Sequence, residues 1–188
     1  DDARAAALFE QGGDLPRALD LYTRLDREDD VLRIQKQVPF SLEQVGFLEK
    51  KGRLAEAARA AFEHGYYSKA ASLYEECRQP EQMLEALLAL AQGTPERWVQ
   101  EKIAATSKKL GRFRQEAEAW DSLGEVENAS EAWLRAAQQL ENTASGDHQG
   151  IADLYSRAEK AFEAIGQEEK MRQVHRRVVE YARLPEVD

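Results

Sequence analysis

Apolar residues return along this chain at intervals that fit one face of a helix. Counted from Gly65, they stand two, five, nine and twelve positions later, at Tyr67, Ala70, Tyr74 and Cys77. These offsets trace a single stripe on a helix with 3.6 residues per turn. The same spacing starts at other glycines, namely Gly13, Gly52, Gly111, Gly124 and, in a degraded copy, Gly166. The pattern predicts a series of short amphipathic helices.

The glycine before each stripe predicts where one helix ends and the next begins. Glycine adopts the left-handed conformation that closes a helix C-terminus, because it has no Cβ to clash. A small residue at the fifth position is expected to let a neighbouring helix approach closely, and a large residue at the ninth to fill the gap. A helix of about a dozen residues does not bury its stripe alone, so neighbouring helices must stack.

The repeat is also visible at longer range. A shift of 59 positions places residues 51–77 over residues 110–136, and both copies keep two glycines 13 residues apart. Ser41 and Gln44 fit a capping box, and Pro80 and Pro95 suit first helical turns. The apolar run 86–91 is expected in the core, residues 142–150 form a polar loop, and Pro39 and Phe40 break the pattern. The predicted helices are 3–11, 15–27, 29–37, 41–51, 53–64, 66–77, 80–91, 96–110, 112–122, 126–140, 150–165 and 168–183.

Three segments, GGDLPRALDLYTRL, GYYSKAASLYEEC and GEVENASEAWLRA, resemble the second helix of a tetratricopeptide (TPR) repeat. The resemblance covers most of the chain, with irregular spacing, and implies an all-α solenoid of stacked antiparallel helix hairpins. It also implies a module that binds proteins. The family's clamp for a C-terminal carboxylate uses asparagines on first helices, but the only asparagines here are Asn128 and Asn142. That mode is therefore not expected. Solenoids of vesicle coats and ciliary transport trains look similar at this level.

The composition is that of an ordinary globular chain of 188 residues, predicted as a single helical-repeat domain over 1–188. The net charge of −9 is spread along the chain, and no quarter of the chain is basic, so the electrostatic footprint of a nucleic-acid partner is missing. No apolar run has the roughly 20 residues needed to cross a bilayer. The single cysteine, Cys77, suits a reducing compartment and a cytoplasmic location. Because the chain starts at Asp1 without methionine, we expect a piece of a longer protein.

The motifs that carry chemistry are missing from the sequence. His64, His148 and His175 have no metal-ligand neighbours at helical spacing, and His64 and His175 are expected to pack in the core, as is Cys77. No phosphate loop or nucleophile elbow is present. The sequence predicts neither metal nor cofactor, and not an enzyme. An enzyme hidden in the 142–150 loop beside His148 is the alternative.

Six residues are the candidate protein-binding positions. Trp98 stands beside the stripe of its helix with Lys102 four residues later, which suits an acidic or amphipathic segment. Tyr66 and Phe47 also leave the stripe, and Arg172 and Arg176 belong to the one locally basic helix. The sequence therefore predicts a non-enzymatic scaffold that binds a protein, a peptide or another domain of its own chain. The alternatives are a sensor or spacer arm of a multidomain signalling protein, and a structural solenoid of coat or transport type.

Overall fold

A computed structural model describes residues 2–37, 41–93, 96–143 and 146–184, and it is helical throughout these ranges, with no strand. Each observed helix overlaps a predicted one and differs from it by at most a few residues at either end. Pro39, Phe40 and Pro95 lie outside the described residues. The helices are α1 (Asp2–Gln11), α2 (Leu15–Arg24), α3 (Glu28–Gln35), α4 (Leu42–Lys50), α5 (Leu54–Glu63), α6 (Tyr67–Glu76), α7 (Pro80–Gly93), α8 (Arg97–Lys109), α9 (Phe113–Ser122), α10 (Val126–Asn142), α11 (His148–Ala164) and α12 (Glu168–Tyr181).

The turns after the predicted glycines are confirmed and share one hydrogen-bond pattern. Gly65 has φ 81° and donates to the carbonyl of Phe62, while Tyr66 N–H donates to the carbonyl of Ala61 at 2.8 Å. The second bond, which reaches five residues back, defines a Schellman closure. The residue after the glycine then caps the next helix, as Tyr66 caps α6. Positive φ values between 68° and 80° recur at Gly13, Gly52, Gly111, Gly124 and Gly166.

Two turns of the same kind lack glycine and were missed by the sequence analysis. Asp26 after α2 has φ 58°, and Arg78 after α6 has φ 55°. The residues that follow them donate to carbonyls five residues back, as in the glycine turns. A left-handed conformation costs a non-glycine residue about 1–2 kcal/mol. The packing of the helices on either side must therefore offset this cost at Asp26 and Arg78.

Two compact units make up the chain, residues 1–79 and 80–188. In the first, α1 to α4 enclose a core of Ala6, Ala18, Tyr22, Val31, Ile34 and Phe47, and α5 packs on α4 and α6. In the second, consecutive helices from α7 to α12 pack on each other, and Trp133, Tyr155 and Phe162 are the large buried residues of a core built from α9 to α12. The single domain over residues 1–188 stays a prediction.

The fifth position of the stripe is buried in every strong copy, as predicted. It is alanine at Ala18, Ala57, Ala70 and Ala129, and a glutamate at Glu116. The twelfth position is different in the copies that start at Gly52 and Gly65, because there it falls on the residue that ends the helix. His64 is therefore exposed and Cys77 half-buried, so their predicted packing in the core is wrong. His175 is also exposed, since its ring reaches Glu159 on the surface of α11.

Polar tips of aromatic residues at the ninth position are paired with acids that lie three residues before the glycine. Trp133 donates its indole N–H to Asp121 at 2.9 Å, and Tyr22 donates its hydroxyl to Glu10 at 3.1 Å. A buried indole or phenol needs such a partner. Both pairs are 12 residues apart in the sequence, so this spacing is a signal from which they could have been predicted.

Two local predictions were wrong. Ser41 caps α4 with extended backbone, but its side chain makes no capping bond, and the Gln44 side chain is buried. In the run 86–91 only Ala86 and Leu87 are buried, and the four residues that follow are half-buried. Pro80 does begin α7, as predicted.

Candidate functional site

A basic cleft of about 430 Å³ lies between α10, α11 and α12 in the second unit. Three cationic side chains and one carboxylate surround it, so its lining carries two surplus positive charges in a chain of net charge −9. Two glutamines add amide groups that donate and accept hydrogen bonds. We call this surface the basic cleft; its lining residues are Leu134, Gln138, Glu141, Tyr155, Lys170, Gln173, Val174, Arg176 and Arg177.

The one carboxylate of the basic cleft, Glu141, is held by its neighbours. Tyr155 donates its hydroxyl to Oε2 at 2.5 Å, Tyr181 donates to Oε1 at 2.7 Å, and the Arg177 guanidinium pairs with the same group. The Arg177 guanidinium also lies 5.2 Å from the ring centroid of Tyr181 and 5.9 Å from that of Tyr155. The charge of Glu141 is therefore already paired within the protein, and its hydrogen bonds hold Tyr155 and Tyr181 in place at the wall of the cleft.

Burial affects the ionisation of Tyr155, which lines the basic cleft. Tyr155 is only 3% exposed, and its desolvation is the main reason that its pKa is raised above the ordinary value, followed by the charges of Tyr181 and Glu180. Its ring stacks on Tyr181 at a centroid distance of 6.2 Å. The phenol stays neutral and donating, which keeps it on Glu141.

Arg176 is the cation that this cleft leaves available. Its side chain is exposed and forms no ion pair within the described part of the chain. Lys170, by contrast, pairs with Glu131 and lies 5.3 Å from the Phe162 ring centroid. Arg172, one turn before Arg176, does not line the cleft and pairs with Glu168 on its own helix. The structure thus places one of the two predicted arginines at the cleft.

Trp98 and Lys102 lie on α8 and do not line the basic cleft. Trp98 is 42% exposed, and its indole N–H donates to the carboxylate of Glu96. Val99 and Ile103 are buried, as the predicted stripe requires, so Trp98 does stand beside that stripe. The pair forms an exposed aromatic surface with a lysine one turn away.

A second cleft, of about 520 Å³, lies in the first unit between α2, α3 and α4. Phe47 lines it and is buried, whereas Tyr66 is half-buried at the cap of α6 and does not line it. The structure therefore does not join these two predicted residues in one site. We call this surface the α4 cleft; its lining residues are Pro16, Leu19, Asp20, Thr23, Gln35, Ser41, Glu43, Gln44, Gly46, Phe47 and Lys50.

A buried ion pair was not foreseen from the sequence. Glu116 occupies the small-residue position of its repeat, and Oε1 accepts a hydrogen bond from Arg135 on α10 at 2.8 Å. The Arg135 guanidinium lies 5.5 Å from the ring centroid of Phe113. Oε2 of Glu116 and Nε of Arg135 are buried without a hydrogen-bond partner among the described residues. The sequence signal was present, because a glutamate replaces alanine at a position that the repeat buries.

The loop predicted at 142–150 is shorter in the structure. α10 continues through Asn142 and α11 begins at His148, with residues 144 and 145 outside the described part. Asp147 caps α11 by accepting a hydrogen bond from Gly150 N–H at 2.8 Å, and His148 lies 6.0 Å from the Tyr181 ring. In the described ranges, no group of three His, Cys, Asp or Glu side chains is placed to hold a metal ion. No described helix is both long and apolar enough to span a membrane.

No family model matches the sequence, and no curated protein matches it. Several solved structures are similar to this chain at low sequence identity. A putative kinesin light chain of nearly identical TPR-like repeats from Podosopora anserina is 16% identical, with a TM-score of 0.40 over 96% of this chain and 93% of that chain. BtubC from P. vanneervenii is 19% identical, with a TM-score of 0.35 over 94% of this chain and 76% of that chain.

The arrangement of the helices themselves establishes the fold class. Within each unit most consecutive helices pack on each other, and Schellman turns follow α1, α2, α4, α5, α6, α8, α9 and α11. The all-α, TPR-like helical repeat predicted from the sequence is confirmed.

Proposed function

We propose that this chain is a non-enzymatic helical-repeat scaffold whose basic cleft binds an acidic segment of a partner protein or of another domain of its own chain. The observation that carries the proposal is the charge of the cleft. Glu141 is paired with Arg177 and accepts hydrogen bonds from two phenols, while Arg176 forms no ion pair among the described residues. Charge complementarity of this kind steers a partner and fixes its register.

The form of the cleft favours a peptide segment over a large folded surface. Its volume of about 430 Å³ falls in the range of about 300–1,000 Å³ that is usual for ligand sites. Gln138 and Gln173 offer amides that match the carbonyl and N–H groups of a main chain. A net charge of −9 argues against nucleic acid or an anionic membrane as the partner. A cytoplasmic location remains part of this proposal, on the ground of the single cysteine.

The assay is a selection of random 12-residue peptides displayed on phage, with the full chain as bait. We expect the enriched peptides to be rich in Asp and Glu, and synthetic copies to bind more weakly as salt rises. Arg176→Glu should weaken them at least tenfold, about 1.4 kcal/mol. Arg114→Glu is the matched control, because Arg114 is exposed and forms only an i,i+4 pair with Glu118. Enrichment of uncharged or basic peptides would count against the proposal, and so would equal losses of peptide affinity in Arg176→Glu and Arg114→Glu.

Trp98→Ala tests the second predicted surface in the same assay. If α8 supplies an aromatic anchor, this variant weakens the selected peptides while the fold keeps its stability, since Trp98 is largely exposed. Unchanged affinity would remove Trp98 and Lys102 as partner residues and leave the basic cleft as the proposed site.

A further inference from the structure

The middle of α4 contains a glycine that the fold itself does not need. Gly46 is absent from the positive-φ glycines of the described chain, and a Cβ added to it would meet nothing within 4 Å. Neither backbone conformation nor crowding by a neighbour therefore explains it. Glycine inside a helix lowers stability relative to alanine. Because Gly46 lowers the stability of the helix and no structural feature requires it, Gly46 is a candidate for a functional residue.

Gln44, two residues earlier, gives an independent sign of a missing partner. It lines the same α4 cleft and is 4% exposed, and its Nε2 is buried with no hydrogen-bond partner among the described residues. A buried donor without an acceptor is costly and rare in folded proteins. An acceptor that enters from the cleft would satisfy this amide.

The charges around the α4 cleft select the kind of acceptor. Asp20 and Glu43 line the cleft together with one cation, Lys50, and Asp20 also pairs with Arg24 on its own helix, so the lining has no surplus positive charge for an anion. A carboxylate or phosphate oxygen is disfavoured there, and a neutral carbonyl oxygen is favoured. Pro16, Leu19 and Phe47 supply the apolar part of the wall. Because Gly46 leaves the surface of the helix bare, a main chain can approach it closely, which is a recognised use of glycine.

We propose that the α4 cleft binds an extended, uncharged polypeptide segment, with a main-chain carbonyl accepting from Gln44 Nε2 and the segment lying over Gly46. This site is independent of the basic cleft, since it lies in the other unit and takes a ligand of different charge. The segment contributes the acceptor that the described chain lacks, and Phe47 packs against its side chains.

The probe is a phage library of random 12-residue peptides built without Asp, Glu, Lys, Arg and His, with the full chain as bait. Gly46→Ala should weaken the selected peptides at least tenfold, while the folding equilibrium constant of the free chain rises about two- to fivefold. Gln44→Leu should also weaken them and leave the free chain at least as stable, because an unpaired buried amide is removed. Arg176→Glu should leave these peptides unaffected, which separates this site from the basic cleft.

Gly93→Ala is the matched control. An added Cβ there also meets nothing within 4 Å, and Gly93 lines neither cleft. It should leave peptide affinity unchanged. The proposal is overturned if no uncharged peptide is enriched, if Gly46→Ala binds the selected peptides as the parent does, or if Gly46→Ala fails to fold or is less stable than the parent.

Discussion

Removing the two halves of the Glu116–Arg135 pair should have unequal consequences. The Glu116 side chain is 2% exposed, whereas that of Arg135 is 32% exposed. Arg135→Met leaves a buried carboxylate without a partner, a change that costs about 3–5 kcal/mol. Glu116→Ala removes a charge-assisted hydrogen bond worth about 1.5–3 kcal/mol. It also removes the unpaired Oε2 and lets the guanidinium reach water, so we expect a net loss of about 1–2 kcal/mol.

The double variant Glu116→Ala/Arg135→Met carries neither charge and restores alanine at the small-residue position. It should therefore be at least about 2 kcal/mol more stable than Arg135→Met alone, since apolar replacement of a whole buried pair is often neutral or stabilising. The singles should not add, because the two residues are in direct contact.

Urea unfolding followed by tryptophan fluorescence is the suitable measurement, because all three tryptophans, Trp98, Trp120 and Trp133, lie in the second unit with this pair. Arg114→Met, on the same helix as Glu116, is the control and should change stability by less than about 0.5 kcal/mol. If Arg135→Met costs no more than Glu116→Ala, or if the double variant equals the sum of the singles, the assignment of a buried, mutually dependent charge pair is refuted.

Three further predictions concern the fold. Ala70→Trp overfills a fully buried position and should lower stability by about 3 kcal/mol or more, seen as a lower melting temperature in circular dichroism; an unchanged melt would mean that no helix crosses closely there. Arg78→Gly places glycine where the backbone is left-handed and should raise stability by about 0.5–1 kcal/mol. Arg59→Gly, at an exposed position inside α5, should lower stability by about 1 kcal/mol. Equal losses of stability in the two variants would contradict the turn assigned to Arg78. Burial raises the pKa of Tyr155, so the stability that the neutral phenol contributes is complete below the ordinary pKa of about 10 and is lost as pH rises from there through the higher pKa of the folded state. Tyr155→Phe should therefore flatten the decline of stability with pH. Identical slopes of stability against pH in the parent and the variant would count against this prediction.

Helix ends were the most predictable part of this protein. Turns at glycines such as Gly65 were found because one residue type supplies the left-handed conformation almost without cost. Asp26 and Arg78 close their helices in the same way, but aspartate signals that conformation only weakly and arginine does not signal it. Their turns are held by the helices on either side, and so they were not visible in a local pattern.

Candidate binding residues were harder to predict, because exposure and pairing depend on neighbours from other helices. Arg172 and Arg176 are equivalent in the sequence, one turn apart on a basic helix. Only Arg176 lines the basic cleft, and Glu168 pairs with Arg172. Phe47 was singled out as an aromatic outside the stripe, and the structure places it in a cleft wall rather than on an open surface.

The sequence by itself determined the all-α class, the helix periods and the buried fifth position, because these depend on side-chain spacing and backbone preference over a dozen residues. Tertiary structure alone decided that the partner of the buried Glu116 is Arg135, that Gln44 turns inward with Nε2 unpartnered among the described residues, and that Glu141 is paired with Arg177. Each of these outcomes depends on an atom supplied or withheld by another helix, and burial and electrostatic pairing are properties of that three-dimensional neighbourhood.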